Sequence, residues 1–268
     1  MTRAGLGVRS GRDITLALGP AQVGAGLVLE RADLGARWPL DLGHSAPGPG
    51  CTLSGAGETA VAFVEHLMAA LWARGVTDCA VSVDGPEVPL FDGSALSLLE
   101  LIDCAGLHRS GEPVEPLAVA EPTMVLDGER ALCALPGEVE YDYALAYDHP
   151  MIGREFARFR PGRDDFDRDL APARTFVTFE EAQGARQAGL LAAGGEENCV
   201  VVYADHLSEE PSLPAAFARH KLVDLIGDLY LLGRPIQGRI FAFYTGHRHN
   251  HELAAMLAAA EASSAVCR

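Results

Sequence analysis

The same order of predicted elements occurs twice in this chain of 268 residues, and this repetition constrains its fold more than any other feature. A helix, a strand and a second helix are predicted over about 59–106 and again over about 213–264, each time after several strands. Two copies of one unit predict an α+β protein with two domains of similar topology. We expect a functional site where the two halves face each other.

Hydrophobic periodicity defines the strongest helix in each half. In the first half, apolar residues recur at helical spacing from Val64 to Trp72, and Gly75 indicates the end of the helix. In the second half, the segment 213–233 has a leucine-rich stripe that ends at Leu232. These two helices occupy matching positions in the two predicted units.

One segment between the halves has the composition of a linker. The residues SGEPVEP at 110–116 combine proline, glycine and charge, as is typical of a boundary between domains. We therefore predict a first domain over 1–112 and a second domain over 113–268.

Charge and composition exclude several classes of protein. With 21 Lys and Arg against 37 Asp and Glu, the formal net charge is −16, which disfavours general binding to nucleic acid. No apolar run approaches the roughly 18 residues of a membrane span, and the N-terminus has no apolar signal region. The six cysteines form no CxxC pair. We expect a cytoplasmic protein with reduced cysteines.

His220 and Asp224 lie four residues apart on the predicted second-half helix, so both side chains project from one face. Asp228 continues that face one turn later. A His-x-x-x-Asp pair supplies two of the three protein ligands of a catalytic zinc ion. The same spacing is typical of an i,i+4 charge pair on a solvated surface, and spacing alone leaves both interpretations open.

Glu65 and His66 stand in the middle of the apolar first-half helix. Burial of such a pair costs free energy unless it lines an interface or a site, although a polar edge of an amphipathic helix is the alternative. If the halves pack helix against helix, this pair meets His220 and Asp224. The combined residue types are those of a zinc hydrolase.

Three further histidines, His247, His249 and His251, follow the predicted strand at 239–246. A histidine-rich tract can be a metal-binding tract. Two of the three histidines, however, are more often surface residues at the start of a helix.

Four segments in order resemble the signatures of one known family, the bacterial UDP-3-O-acyl-N-acetylglucosamine deacetylases. They are VEHLMAALWARGVTDCAVSVDGPEVPLFDGSA at 64–95, ARTF at 173–176, RHKLVDLIGDLYLLG at 219–233 and TGH at 245–247. The opening, GLGVRSGRDITLAL, resembles the family's first hairpin. The resemblance covers essentially the whole chain. It implies a cytoplasmic zinc-dependent deacetylase of lipid A biosynthesis, with two α+β domains whose helices face each other across the active site.

The resemblance also implies a metal site. Carried over position by position, His66, His220 and Asp224 are the expected zinc ligands. Glu65 is the expected general base, which deprotonates the attacking water.

Four other residues receive catalytic roles from the same resemblance. Lys221 is expected to bring positive charge to the developing oxyanion, and Thr175 to donate a hydrogen bond to it. His247 is expected to protonate the leaving amine, while Asp228 orients its ring and keeps it cationic. The implied products are acetate and a free glucosamine amine.

The resemblance implies a function for an insert as well. The segment 176–203 occupies the place of the family's strand–helix–strand insert, which forms a tunnel for the fatty acyl chain. An ordinary packed βαβ element is the alternative interpretation of this segment.

Three positions depart from the family pattern. Arg9 stands where members have histidine, and Tyr244 replaces a lysine that contacts the nucleotide phosphates. Glu181 replaces an aspartate. The residues expected to perform chemistry are all kept, so the departures fall on substrate recognition.

These departures define the alternatives. The leading expectation is a monomer that removes the N-acetyl group from UDP-3-O-acyl-N-acetylglucosamine, a small-molecule substrate. The alternative is a zinc amidase of the same fold that deacylates a different N-acyl amino sugar. A non-catalytic sugar-binding or scaffold protein is the third interpretation, and it predicts the loss of a zinc ligand or of Glu65, neither of which is lost.

Overall fold

A computed structural model describes residues 1–57, 59–109 and 113–266 of the chain. The first half contains strands β1 (Thr2–Leu6), β2 (Asp13–Pro20), β3 (Leu27–Arg31), β4 (Ala36–Pro39), β5 (Ser45–Ala46), β6 (Thr52–Leu53) and β7 (Cys79–Val83), with helices α1 (Glu65–Ala73) and α2 (Leu96–Ala105). A short 3-10 helix covers Leu42–His44.

The second half contains more elements than the first. Its strands are β8 (Leu117–Ala118), β9 (Thr123–Asp127), β10 (Arg130–Leu135), β11 (Glu140–Ala146), β12 (Arg154–Phe159), β13 (Phe176–Thr178), β14 (Val200–Val202), β15 (Ile236–Gln237) and β16 (Arg239–Phe243). Its helices are α3 (Phe166–Asp169), α4 (Phe179–Gln187), α5 (Ala216–Tyr230) and α6 (His247–Val266).

Each half is built on a five-stranded sheet, and the two sheets have the same topology. The strand orders are β1-β2-β7-β3-β4 and β12-β11-β16-β10-β9, so β1 corresponds to β9, β2 to β10, β3 to β11, β4 to β12 and β7 to β16. In each sheet one pair is parallel, β3 with β7 and β11 with β16, and the other pairs are antiparallel. The predicted α+β fold with two similar units is therefore confirmed.

The helices pack between the sheets. In the first half α2 packs on β2, and in the second half α5 packs on β11 and β12 while α6 packs on β9 and β10. The strands bury alternate residues, as Ile14, Leu16 and Leu18 of β2 show, because one face of each sheet meets the helices. Helix α1 packs against α5, so the two halves meet through these helices.

Gly227 marks the closest approach of α5 to α1. A Cβ atom added at Gly227 would lie 2.0 Å from the carbonyl oxygen of Glu65, far inside van der Waals contact. Glycine costs about 1 kcal/mol relative to alanine in a helix interior, so its use here follows from packing rather than from helix propensity.

The first helix begins later than its periodicity predicts. Val61 and Ala62 form isolated bridges with Leu53 and Glu87, which keeps the backbone extended up to residue 62. Phe63 then adopts a φ of 60°, and α1 starts at Glu65. Glu65 and His66 therefore lie in the first turn of the helix rather than in its middle.

Two other boundaries differ from those that the sequence predicts. The pattern over 116–125 predicts one strand, but the structure divides it into β8 and β9, because Leu117–Ala118 pairs with β15 while Thr123–Asp127 pairs with β10. The pattern over 249–264 predicts the last helix, and α6 starts two residues earlier, at His247. Residues 110–112 of the predicted linker lie outside the described residues, and the domain boundary at 112 and 113 stays a prediction.

The insert forms a βαβ unit. Strands β13 and β14 are parallel and α4 connects them, with Thr178 and Glu181 forming a reciprocal capping box at its start. The loop after α4 is tied to the first half, because the Ala193 N–H donates to the Val8 carbonyl over 3.0 Å. None of the helices in the described part of the chain is long and apolar enough to cross a membrane.

Candidate active site

Two histidines and one aspartate converge where α1 meets α5. The Oδ1 atom of Asp224 lies 3.4 Å from Nε2 of His66 and 3.4 Å from Nε2 of His220. His66 comes from the first half, and the other two residues come from one face of α5, four residues apart. All three side chains are buried, so the seam between the halves contains a set of ligand atoms that neither half has alone.

The chemistry of this set fits a divalent metal ion. The Nδ1–H of His220 donates to the Ala173 carbonyl over 3.2 Å, which directs the lone pair of Nε2 toward Asp224. Burial lowers the pKa of His220 to about 3, so the ring is neutral as a metal ligand must be. Oδ1 of Asp224 is buried without a hydrogen-bond partner among the described residues. Two imidazole nitrogens and one carboxylate oxygen are a common ligand set for catalytic zinc.

Lys221 lies beside this set and shares Asp224. Its Nζ is 2.9 Å from Oδ2 of Asp224 and 5.6 Å from the centre of the Phe176 ring. Burial disfavours the charged amine, but the Asp224 carboxylate outweighs burial and raises the pKa of Lys221 above its ordinary value. Lys221 therefore stays positively charged beside the candidate metal site.

Glu65 lies between the metal set and His247. Its Oε2 accepts the backbone N–H of Cys51 over 3.0 Å, and its Oε1 is 3.9 Å from Nε2 of His247. Burial raises the pKa of Glu65 above its ordinary value, which makes the carboxylate a stronger base. Glycine at residue 50 leaves room for the Glu65 carboxylate, because a Cβ atom added at Gly50 would lie 2.6 Å from Oε1 of Glu65.

His247, the first residue of α6, is held by a fully buried carboxylate. Its Nδ1–H donates to Oδ2 of Asp228 over 2.8 Å, and the Asn250 side chain donates to the same oxygen over 2.8 Å. Burial opposes a charge on His247, but the Asp228 carboxylate outweighs it and raises the pKa of His247 to about 10. The imidazole is therefore protonated at neutral pH.

Thr175, the remaining predicted catalytic residue, is held in place by backbone hydrogen bonds. Its backbone N–H donates to the Gly93 carbonyl over 2.8 Å, and its own carbonyl accepts from Val200. Among the described residues, no hydrogen bond joins its hydroxyl to the metal set or to Lys221. The role that the resemblance implies for Thr175 stays a prediction.

A cavity of about 920 Å³ opens beside the candidate catalytic residues. Its lining includes two of them, His247 and Lys221, together with Arg130, Arg248 and Tyr244. The guanidinium of Arg130 lies 5.0 Å from the centre of the Tyr244 ring. The cavity therefore concentrates cationic groups in a chain of net charge −16.

Sequence reasoning missed three contributors to this region. Cys51 positions Glu65 through its backbone, Asn250 shares Asp228 with His247, and Arg130 reaches the cavity from β10. No local pattern identifies Cys51 or Arg130, because their partners are distant in sequence, by 114 residues between Arg130 and Tyr244. For Asn250 the signal exists, since it lies one helical turn after His247.

Two further groups of side chains have ligand atoms within 4.8 Å of one another. One consists of Glu65, Asp224 and His247, all of which are candidate metal-binding or catalytic residues described above. The other consists of Cys51, Asp228 and His251, on the far side of Asp228. His249, the remaining histidine of the tract, instead lies 3.2 Å from Asp127.

The fold and site together define a class of protein: an α+β protein of two similar units with a buried candidate metal-ligand set, a buried carboxylate and a cationic histidine at their seam. A family model for UDP-3-O-acyl N-acetylglycosamine deacetylase matches residues 1–259, and the chain belongs to this family.

Curated relatives agree with this assignment. The UDP-3-O-acyl-N-acetylglucosamine deacetylase of Leptospira biflexa serovar Patoc is 34% identical over 259 residues, covering 95% of this chain and 86% of the relative. The enzyme of the same name from Anaeromyxobacter dehalogenans is 36% identical, covering 98% of this chain and 87% of the relative. That from Geobacter sp. strain M21 is 34% identical over 94% of this chain and 84% of the relative.

Proposed function

We propose that the chain hydrolyses the N-acetyl amide of UDP-3-O-acyl-N-acetylglucosamine, releasing acetate and the free amine, in lipid A biosynthesis. The observation that carries the proposal is the convergence of His66, His220 and Asp224 with Glu65 and His247 at one seam, in a member of the deacetylase family. Hydrolysis of an amide needs an activated water, a stabilised oxyanion and a protonated leaving amine, and this seam offers a group for each.

We infer that His66, His220 and Asp224 hold a zinc ion. The buried, unpartnered Oδ1 of Asp224 and the neutral ring of His220 support this assignment. When bound, zinc polarises the amide carbonyl and makes water a stronger acid.

Glu65 is the general base in this proposal. Its buried carboxylate accepts a proton from the attacking water, and the Cys51 N–H keeps the carboxylate in place while it does so. Lys221 stabilises the oxyanion that forms on the carbonyl oxygen, since its ammonium group is held beside the metal set by Asp224. Thr175 is proposed as a further donor to that oxyanion.

His247 is the general acid. It delivers its Nε2 proton to the amine nitrogen as the C–N bond breaks, because a neutral amine is a far better leaving group than an amide anion. Asp228 keeps the proton on His247 until that step and fixes the ring through Nδ1.

The cavity is proposed to bind the nucleotide diphosphate. Arg130 and Arg248 line it and supply cations that favour a diphosphate in an acidic protein, with Arg248 also paired to Asp127. Other arginines could in principle compensate for the lysine absent at Tyr244, but Arg9 and Arg239 do not line this cavity. The insert over 176–203 is proposed to hold the fatty acyl chain, which its position against the first half supports.

One observation favours the second candidate, a zinc amidase for a different N-acyl amino sugar. Tyr244 presents an aromatic ring to the cavity where the resemblance leads us to expect lysine, and the centre of the Tyr147 ring lies 5.4 Å from the centre of that ring, with the two rings nearly perpendicular. An aromatic ring can pack against the face of a sugar or of a nucleobase, so Tyr244 does not require a diphosphate beside it.

The proposal is tested by amine release from UDP-3-O-(hydroxyacyl)-N-acetylglucosamine by zinc-loaded protein. We expect turnover that falls by about 10²–10⁴-fold in Glu65→Gln, as for loss of a general base. The matched control is Glu121→Gln, an exposed glutamate far from the seam, which should keep the wild-type rate. Zinc-loaded protein without turnover on this substrate, but active on another N-acyl amino sugar, would favour the second candidate.

A further inference from the structure

Only one of the two carboxylate oxygens of Asp228 contacts His247, the proposed general acid. Oδ2 accepts hydrogen bonds from His247 and Asn250, both over 2.8 Å. Oδ1 is buried and has no completed hydrogen bond among the described residues. A buried polar atom without a partner destabilises the folded state, so a donor is expected at Oδ1.

His251 is the side chain that faces this oxygen. It lies on α6 one turn after His247, and its Nε2 is 3.4 Å from Oδ1 of Asp228. This distance is about 0.5 Å longer than an ordinary N–H···O hydrogen bond, so His251 lies within reach of Oδ1 without a completed bond. Nδ1 of His251 lies 2.7 Å from the hydroxyl of the exposed Ser45.

The surroundings of His251 set its tautomer. A carboxylate only accepts, so the proton of a neutral ring facing Asp228 resides on Nε2, and Nδ1 then accepts from the Ser45 hydroxyl. The other group that faces Nε2 is the Cys51 thiol, with Sγ at 3.3 Å. Burial raises the pKa of the Cys51 thiol, so the thiol stays protonated and is a weak competing donor.

We propose that His251 is a positioning residue for the proposed deacetylation: its Nε2–H holds Oδ1 of Asp228, which keeps Oδ2 aimed at Nδ1 of His247. A carboxylate bound at one oxygen only can turn about its Cβ–Cγ bond, whereas donors at both oxygens fix its plane. The resulting chain of hydrogen bonds runs from Ser45 through His251 and Asp228 to His247. The proposal depends on the proposed function for its kinetic consequence alone, because the hydrogen bonds exist or not regardless of the reaction.

The test compares His251→Leu, which removes the donor, with His251→Gln, which keeps an N–H at the end of the side chain. We expect His251→Leu to lower kcat by about 10-fold to 100-fold, as for loss of an outer hydrogen-bond partner, with KM and zinc content unchanged. His251→Gln should recover most of kcat. The matched control is His44→Asn, which removes a histidine paired with Asp41 outside this network.

A second readout does not need turnover. In ¹⁵N NMR spectra of the histidine rings, His251 should be the Nε2–H tautomer, and the low-field Nδ1 proton of His247 should weaken in His251→Leu and persist in His251→Gln. Three results would overturn the proposal: wild-type kcat in His251→Leu, equal loss in His251→Gln, or a Cys51→Ala variant that reproduces the loss instead. An inactive wild type with the expected NMR pattern would refute the proposed function and retain the hydrogen-bond network.

Discussion

The two halves of the molecule share one sheet topology but divide the chemistry unequally. Helices α1 and α5 occupy the same position in the repeat, and each buries all but two of its residues. Yet α1 contributes Glu65 and His66 from its first turn, whereas α5 contributes polar side chains from His220 to Asp228. The repeated topology brings two helices together, and the side chains on each helix decide what their seam can do.

Helices α2 and α6, which are also equivalent in the repeat, differ in their polar side chains in the same way. At the start of α2, the Ser94 hydroxyl donates to Asp92 over 2.9 Å and accepts the Leu96 N–H, so these polar groups cap their own turn. At the start of α6, His247 instead reaches across to Asp228 of α5. The start of α2 is therefore capped by its own polar groups, whereas the start of α6 holds a candidate catalytic residue.

The largest expected effect comes from removing one ligand on either side of the seam. His66→Ala and Asp224→Ala each leave two ligands where a catalytic zinc site has about three from the protein. We expect both variants to lose bound zinc and deacetylase turnover together, as measured by metal analysis after dialysis and by amine release. His108→Ala, at an exposed histidine, should keep both. Full zinc content in either seam variant would mean that its half does not contribute to the site.

Asp228→Asn tests whether the Asp228 carboxylate controls the protonation of His247 at the start of α6. It removes the carboxylate that raises the pKa of His247 to about 10, so that pKa should fall toward its ordinary value of 6.5. Because the general acid must be protonated, the alkaline limb of the kcat profile should move down by about 1–3 pH units. An unmoved alkaline limb would exclude His247 as the group that titrates there.

The pair of His247 and Asp228 also contributes to the free energy of unfolding. The pH dependence of that contribution follows from the raised pKa of His247. The folded pKa of His247 lies above its ordinary value, so the contribution is complete below about pH 6.5 and is lost as the pH rises through about 10. Denaturant unfolding of wild type and Asp228→Asn should therefore converge at high pH.

Gly227→Ala tests the contact between the halves itself. The added Cβ would meet the Glu65 carbonyl oxygen at 2.0 Å, and a backbone atom cannot move aside cheaply. We expect the free energy of unfolding in urea to fall by about 1–3 kcal/mol. Gly184→Ala on α4 is the control, because nothing lies within 4 Å of its added Cβ, and it should gain about 0.5–1 kcal/mol. Equal effects of both changes would contradict the close approach.

The smallest expected effect comes from a second buried carboxylate, Asp142 on β11. Burial disfavours its charge, but Arg158 and Arg239 outweigh burial and hold the pKa of Asp142 below its ordinary value. Asp142→Asn should cost about 1 kcal/mol of unfolding free energy at neutral pH. The difference from wild type should shrink as the pH falls below about 4, since a carboxylate of lowered pKa stabilises only while ionised.

Periodicity and motif spacing predicted the elements that position the site. The stripe on α5 and the i,i+4 spacing of His220 and Asp224 are local properties of a helix, so they are visible in the sequence. The order of strands and helices predicted the repeat for the same reason. The structure places Oδ1 of Asp224 3.4 Å from Nε2 of each histidine and all three predicted ligand atoms within 4.8 Å of one another, as packing of helix on helix required.

What could not be predicted depends on contacts between distant segments. The late start of α1 follows from bridges to Leu53 and Glu87, which no local pattern encodes. The contact between Ser45 and His251 joins residues 206 positions apart. The histidine tract alone therefore could not show that His247 and His251 face Asp228 while His249 faces Asp127.

Whether both halves build one metal site can be measured by anomalous X-ray scattering at the zinc edge from crystals of protein loaded with one equivalent of zinc. We expect one dominant peak coordinated by His66, His220 and Asp224. A dominant peak at Cys51, Asp228 and His251, or coordination by residues of one half only, would contradict it.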